Sequence, residues 1–456
     1  MNGSKFLLAG VLTVASFSLS CAGTPLKPSK GAEGGLGVEL KLDKHVLSNG
    51  LTVILVEDAS VPVVSYQTWF RTGSVDERPG ITGISHLFEH LMFKGTPMYP
   101  AKKFFQELEA KGAEVNAFTT RDYTVYYENF APKLLEKVVD MEADRMQNLL
   151  LTQEVLDTER SVVFEERRMR TDNAPEGKMQ EALWALAYRR HPYHWPVIGY
   201  PEDLAAIRLT HLQDYFHLHY QPANAAIVVV GNIQAVAALK LITAYYEKIP
   251  ARPRPVREVT VEPEQNEERR LILRDRVATQ RFSMAYHVTS ALDDDSYALD
   301  VLANILFEGT SSRAYRKLVE EKDVALGVSG SAFTPSYPGL FIINGTMKGG
   351  VPFERAEQLL NQVIAEAQER EVSKEEIEVA VRQLTVQLVD GVRTPYGLGQ
   401  LIGTVQTVFE DPYRFASDLA KYTQVTADDV KRVAIKYLHP NNRSIVTLVP
   451  EKPEKP

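Results

Sequence analysis

The feature that most constrains the fold is a short recurrence. Leu91-Met92-Phe93-Lys94-Gly95-Thr96 returns as Ile305-Leu306-Phe307-Glu308-Gly309-Thr310, at an offset of 310 − 96 = 214 residues. The order before it also repeats. Residues 62–71 and 277–287 read as strands, and residues 84–93 and 297–307 as helices. Repetition of strand and then helix at one spacing marks a duplicated domain. A chain of 456 residues is too long for one ordinary domain. Between its halves the chain turns proline- and charge-rich around Pro250, Pro253, Pro255 and Pro263, as a linker does. The expected layout is a domain over 38–250, a linker over 251–264 and a homologous domain over 265–450. The expected class is α/β (α+β).

Further elements can be read along the first half. Residues 45–56 form an expected hairpin about Asn49-Gly50, and 101–111 a helix closed by Gly112. Strand-type residues fill 115–130, long helical patterns run over 132–150 and 153–170, and 225–230 is an apolar strand ending at Gly231. With 44% hydrophobic and 24% charged residues, the chain can bury large cores. Its net charge of −8 argues against a nucleic-acid surface. The single cysteine, Cys21, rules out an intrachain disulfide. Residues 1–21 carry Lys5, an apolar stretch over 6–17 and small residues before Cys21, which is the layout of a signal peptide. That stretch is shorter than the roughly 20 residues of a membrane span. Ser18-Leu19-Ser20-Cys21 resembles a bacterial lipobox, with Ser18 where leucine is usual. Lipidation at Cys21 and a flexible tether over 22–37 would put the chain on the periplasmic side of a bacterial envelope, touching membrane only through a lipid anchor. Plain secretion is the alternative.

Chemistry concentrates in the helix over 84–93. Successive helical residues rotate by about 100°, so His86 and His90 are neighbours on one face with Glu89 beside them. Two imidazoles four residues apart can reach one ion. Ile84, Leu87, Leu91 and Met92 make the rest of the helix apolar, and three ionisable groups on a core helix are costly unless paired or coordinated. The competing reading is a hydrogen-bonded core histidine pair. Catalytic zinc needs a third protein ligand and an open position. In 153–170, Val155, Glu159, Val162, Val163 and Glu166 share one helical face. Glu166 is the candidate ligand, Glu159 a candidate partner that orients a histidine, and Glu165 points elsewhere. Surface salt-bridging is the alternative for these glutamates. Glu89 would act as general base. At the repeat offset, His86, Glu89 and His90 fall on Asp300, Ala303 and Asn304, so the second copy keeps the apolar positions without the chemistry.

Arg71-Thr72-Gly73-Ser74, followed by Gly83-Ile84-Ser85-His86-Leu87-Phe88-Glu89-His90-Leu91-Met92-Phe93-Lys94-Gly95-Thr96, resembles the pitrilysin/insulinase family of inverted-motif zinc peptidases. Within it the likeness is to the processing-peptidase branch, over nearly all of 38–450. The resemblance implies one Zn2+ per chain held by His86, His90 and Glu166, with Glu89 as base and Glu159 beside the site. It implies two homologous domains, each a mostly antiparallel sheet packed with helices, and a clamshell of two chains closing on unfolded peptide. Val115-Asn116-Ala117-Phe118-Thr119 resembles the edge strand that pairs with peptide substrate, with Asn116, Ala117, Phe118 and Thr119 as the contacts. Tyr220-Gln221-Pro222 and 225–232 match structural segments.

The family's second domain often holds substrate with an Arg and a Tyr. Arg313 fits the first, and Leu326 stands in the place of the second. Some bacterial members divide the zinc motif and the Arg/Tyr pair between two subunits. The expectation is therefore the metal-bearing subunit of a heterodimer, or else a homodimer. Two other classes compete: a non-catalytic assembly or chaperone-like subunit, and a metallohydrolase of non-peptide amides. An intact motif opposes the first, and a substrate-pairing strand opposes the second.

Overall fold

The computed structural model describes residues 41–451. The signal-like segment, Cys21 and the tether lie outside the described residues. The chain divides into two compact units. Of the described residues, one unit holds 41–263 together with Gln387–Ser417; the other holds Glu264–Val386 and 418–451.

The first unit is built on a six-stranded sheet of β1 (Asp43–Val46), β2 (Thr52–Glu57), β3 (Val64–Phe70), β4 (Glu114–Thr119), β5 (Thr124–Phe130) and β6 (Ala225–Gly231), in the order β1-β2-β6-β3-β5-β4. Only β2 and β6 run parallel. The Asn49-Gly50 turn joins β1 to β2, with Gly50 at φ +88°, a left-handed conformation that suits glycine. Strands β3 and β6 are buried along their whole length, because both faces of the sheet are covered. On one face lie helices of the first half, including Ile84–Leu91, Leu135–Asn148 and Ala235–Tyr246. On the other, Leu398 and Ile402 of helix Pro395–Phe409 pack on Ile54, Trp69, Val228 and Val230.

The second unit carries a five-stranded sheet of β7 (Arg269–Asp275), β8 (Arg281–His287), β9 (Ala325–Phe333), β10 (Leu340–Met347) and β11 (Arg443–Pro450), ordered β7-β11-β8-β10-β9. Without β1, the two sheets have the same order, and in each only the first and last strands in sequence are parallel. Val64 faces Gly231 in the first sheet and Arg281 faces Leu448 in the second, with equal displacement along the chain. Gly95 and Gly309, the glycines of the recurring segment, both have positive φ after their helices. The two domains therefore share one plan. The segment 387–417 departs from the boundary expected at 265, since it groups with the first unit.

Candidate metal centre

The helix Ile84–Leu91 is fixed from three sides. Ile84, Leu87, Phe88 and Leu91 are fully buried, and each such side chain contributes about 1.5–3 kcal/mol. At the N-terminus, Gly83 has φ +86°, and a Cβ there would lie 2.5 Å from the Ile198 carbonyl oxygen, so glycine is required. The buried Glu77 carboxylate accepts from the backbone N–H of Gly83 (2.8 Å) and of Ser85 (2.9 Å), meeting donors that a helix start leaves unpaired. Burial pushes Glu77 up to about 8, against those two bonds. The Ser85 hydroxyl shares a 2.7 Å hydrogen bond with Tyr215, which shares another with Thr72. From β5, the Tyr126 hydroxyl donates to the Phe88 carbonyl (3.1 Å).

So mounted, the helix presents His86 and His90 to the helix Gln153–Arg167, with ring centroids 4.9 Å apart. Glu166 Oε2 lies 3.1 Å from His90 Nε2 and 3.7 Å from His86 Nε2. Among the described residues these three are the one group of metal-ligating side chains that converges, with donor atoms within 4.8 Å of one another. Two imidazole nitrogens and one carboxylate oxygen suit a tetrahedral zinc, whose bonds of about 2.0–2.2 Å put ligands roughly 3.3 Å apart. The donor set therefore fits the metal and leaves one corner open.

The groups around the triad hold it in place. Arg170, one turn beyond Glu166, binds its other oxygen (Nη1–Oε1 2.6 Å). Glu159 lies 3.7 Å from His90 Nδ1, and its second oxygen takes Lys94 Nζ at 2.6 Å. Burial lowers His86. Burial also pulls His90 down, but the carboxylates of Glu159, Glu166 and Glu89 together raise it to about 9. Glu166 is held near 2: burial acts to raise it, and His90, His86 and Arg170 outweigh that. Glu89 is half-buried beside the triad, and its charge acts on both imidazoles.

The other expected residues are placed as follows. Glu165 turns to solvent and pairs with Arg168. Val162, expected on the apolar stripe, is 45% exposed; the buried stripe is Leu156, Glu159, Val163 and Arg167. Asn116, Ala117, Phe118 and Thr119 lie on β4, the free edge of the sheet, and β4 touches the motif helix. Arg313 is engaged within its own unit, with Nε and Nη2 each donating at 2.8 Å to the Glu376 carboxylate. Leu326 is 60% exposed on β9. Sequence reading missed Lys94 and Arg170, whose signal was only their placement one turn beyond His90 and Glu166.

Residues 52–200 match the family described as Insulinase (Peptidase family M16), and residues 206–384 match Peptidase M16 inactive domain. The chain belongs to the pitrilysin/insulinase family. Among its relatives in that family is the zinc protease PqqE of Helicobacter pylori, 28% identical over 90% of this chain and 94% of that one. Another is a probable mitochondrial-processing peptidase subunit beta of Arabidopsis thaliana, 24% identical over 89% and 77% of the two chains. The crystal structure of a protease from Helicobacter pylori matches at TM-score 0.85 and 26% identity, over 90% of this chain and all of that one. An Alicyclobacillus acidocaldarius M16-like peptidase shares the fold at TM-score 0.81 and 23% identity, over 91% of this chain. Among the described residues, no helix is long and apolar enough to cross a membrane.

Proposed function

We propose that this chain is a zinc-dependent endopeptidase that cleaves extended or unfolded peptides, with His86, His90 and Glu166 as the metal ligands and Glu89 as the general base. The observation that carries the reading is the convergence of two imidazoles and one carboxylate, with a second carboxylate left over beside them. A zinc ion held there supplies Lewis acidity, which acidifies water and polarises a carbonyl. Glu89 takes a proton from the attacking water and delivers it to the leaving amine. Glu159, tied to Lys94, holds the orientation of His90, and Arg170 holds that of Glu166. Strand β4 aligns the substrate backbone by strand addition. Its N–H at Ala117 donates to the neighbouring Asn116 side chain (2.9 Å), a bond that an incoming strand can displace.

The same reading makes the chain the metal-bearing subunit of a dimer that closes as a clamshell. Arg313 is occupied by Glu376, and Leu326 offers no hydroxyl where relatives use tyrosine, so substrate-holding groups come from a partner subunit. Location at the periplasmic side of the envelope through a lipid on Cys21 rests on the sequence layout.

The Glu89→Gln variant tests the assignment. It keeps zinc at wild-type stoichiometry and loses kcat by about 10²–10⁴-fold. A variant without zinc contradicts the division between ligands and base. A wild-type protein that hydrolyses no peptide, with or without a homologous partner, favours a non-catalytic subunit instead.

A further inference from the structure

Residues 251–266 form neither helix nor strand, yet the segment is anchored along its length. Arg254 donates to Glu410 at 2.8 Å. The Glu262 carboxylate accepts the backbone N–H groups of Arg189, Arg190 and His191 at 2.8–2.9 Å. Between them the side chain of Arg257 is buried, 8% exposed. Its guanidinium makes two charge-assisted bonds to Asp76, Nε to Oδ1 at 2.7 Å and Nη2 to Oδ2 at 2.6 Å. Nη2 also donates to the carbonyls of Arg71 (3.1 Å) and Asp122 (2.9 Å).

Those acceptors belong to the two elements that the reaction must keep in register. Asp76 closes the 3-10 turn Ser74–Asp76, accepting from the Gly73 N–H (2.9 Å), and the next residue, Glu77, caps the motif helix. Asp122 lies in the turn from β4 to β5, and the carbonyls beside it, Thr120 and Arg121, take the N–H groups of Ser74 and Val75. One planar cation thus joins the mount of the metal helix to the turn that carries the substrate strand. A fork of fixed geometry suits that task, and a lysine cannot reproduce it.

We infer that Arg257 is a positioning residue, which sets the edge strand β4 against the helix of His86 and His90 and so governs how long, extended substrates reach the metal. This rests on the peptidase reading, so hydrolysis and zinc content of the wild type are established first. If those fail, the peptidase reading falls and Arg257 is not at issue.

The test measures zinc content, thermal midpoint and kinetics of Arg257→Met and Arg257→Lys, with Arg254→Met as a control on the same segment. Each is assayed on a peptide of about ten residues, long enough to pair with β4, and on one of about four, which reaches the metal alone. The expected result is one zinc in every variant, short-peptide kinetics within about twofold of wild type, and long-peptide KM raised about tenfold in Arg257→Met and less in Arg257→Lys. Arg254→Met matches wild type. Equal losses on both peptides, loss of zinc, or unchanged long-peptide KM overturns the inference. Should Arg257→Met not fold, Arg257→Lys decides alone: a length-selective rise in KM supports the role, and a uniform change or none overturns it.

Discussion

Asp300 stands where the duplication puts His86, and it shows what that position costs when no ligand chemistry uses it. It is buried, accepts one hydrogen bond from Tyr422 (2.6 Å), and is pushed by burial up to about 7. Between the ordinary carboxylate range and pH 7, the unfolded chain ionises this group while the folded domain keeps it neutral. Folding then binds the extra proton, so stability falls as pH rises from about 4 to 7 and levels off above. Asp300→Asn accepts the same Tyr422 bond without a charge. It should leave stability near pH 4 almost unchanged and raise it at pH 8 by a few kcal/mol, on the order of the pKa difference. Denaturant unfolding at the two pH values checks this; an equal effect at both contradicts it. At this scale most of the candidate centre was legible. The histidine pair follows from helical spacing; Glu166 was one candidate on the expected stripe, with surface salt-bridging as the alternative, and the family resemblance singled it out. The buried face of the helix expected over 153–170 was misread by roughly 60° of rotation, with Glu159 and Val163 common to the expected and observed stripes. That places Val162 in solvent and Glu166 at the border of the core, a position that suits the proposed ligand role. Lys94 and Arg170 were not legible, since one cation on a helix surface is ordinary.

At the scale of elements, helix Pro395–Phe409 is the one whose place the sequence hides. Its apolar face does not say which of two related sheets it covers. Two small residues give the only hint. A Cβ at Gly403 would fall 2.0 Å from Trp69 Cε2, and one at Gly399 2.5 Å from the Gln67 amide nitrogen. Trp69 also donates to Gln67 Oε1 (3.1 Å) and is nearly fully buried, so it has no room to retreat. Gly403→Ala should destabilise the first unit by about 1–3 kcal/mol through overpacking, beyond the helix-propensity gain of alanine. A thermal midpoint equal to or above wild type contradicts this packing. The strands were easier to read, because alternation and the Asn49-Gly50 turn are local signals, and the hairpin of β4 and β5 matches the strand-type run over 115–130 to within one residue.

For the whole molecule, the duplication was visible in six residues and is borne out by matching strand order and register. On the proposed reading, Arg313 held by Glu376 and an exposed Leu326 leave substrate binding incomplete in one chain. The purified chain alone should therefore turn over extended peptides slowly. Adding a homologous subunit that carries the Arg/Tyr pair should raise kcat/KM by about tenfold or more, as oriented binding groups do. Activity that is already maximal for the chain alone, with no change on mixing, contradicts the partner proposal.

Zinc binding by Glu166→Ala and Glu165→Ala, measured beside wild type by metal analysis and competition with a chelator, tests the metal proposal most directly. One zinc per chain is expected in wild type and in Glu165→Ala, with affinity lost or sharply reduced in Glu166→Ala, because only Glu166 shares the corner with both imidazoles. Full zinc binding by Glu166→Ala, or its loss on changing Glu165, contradicts the proposed centre.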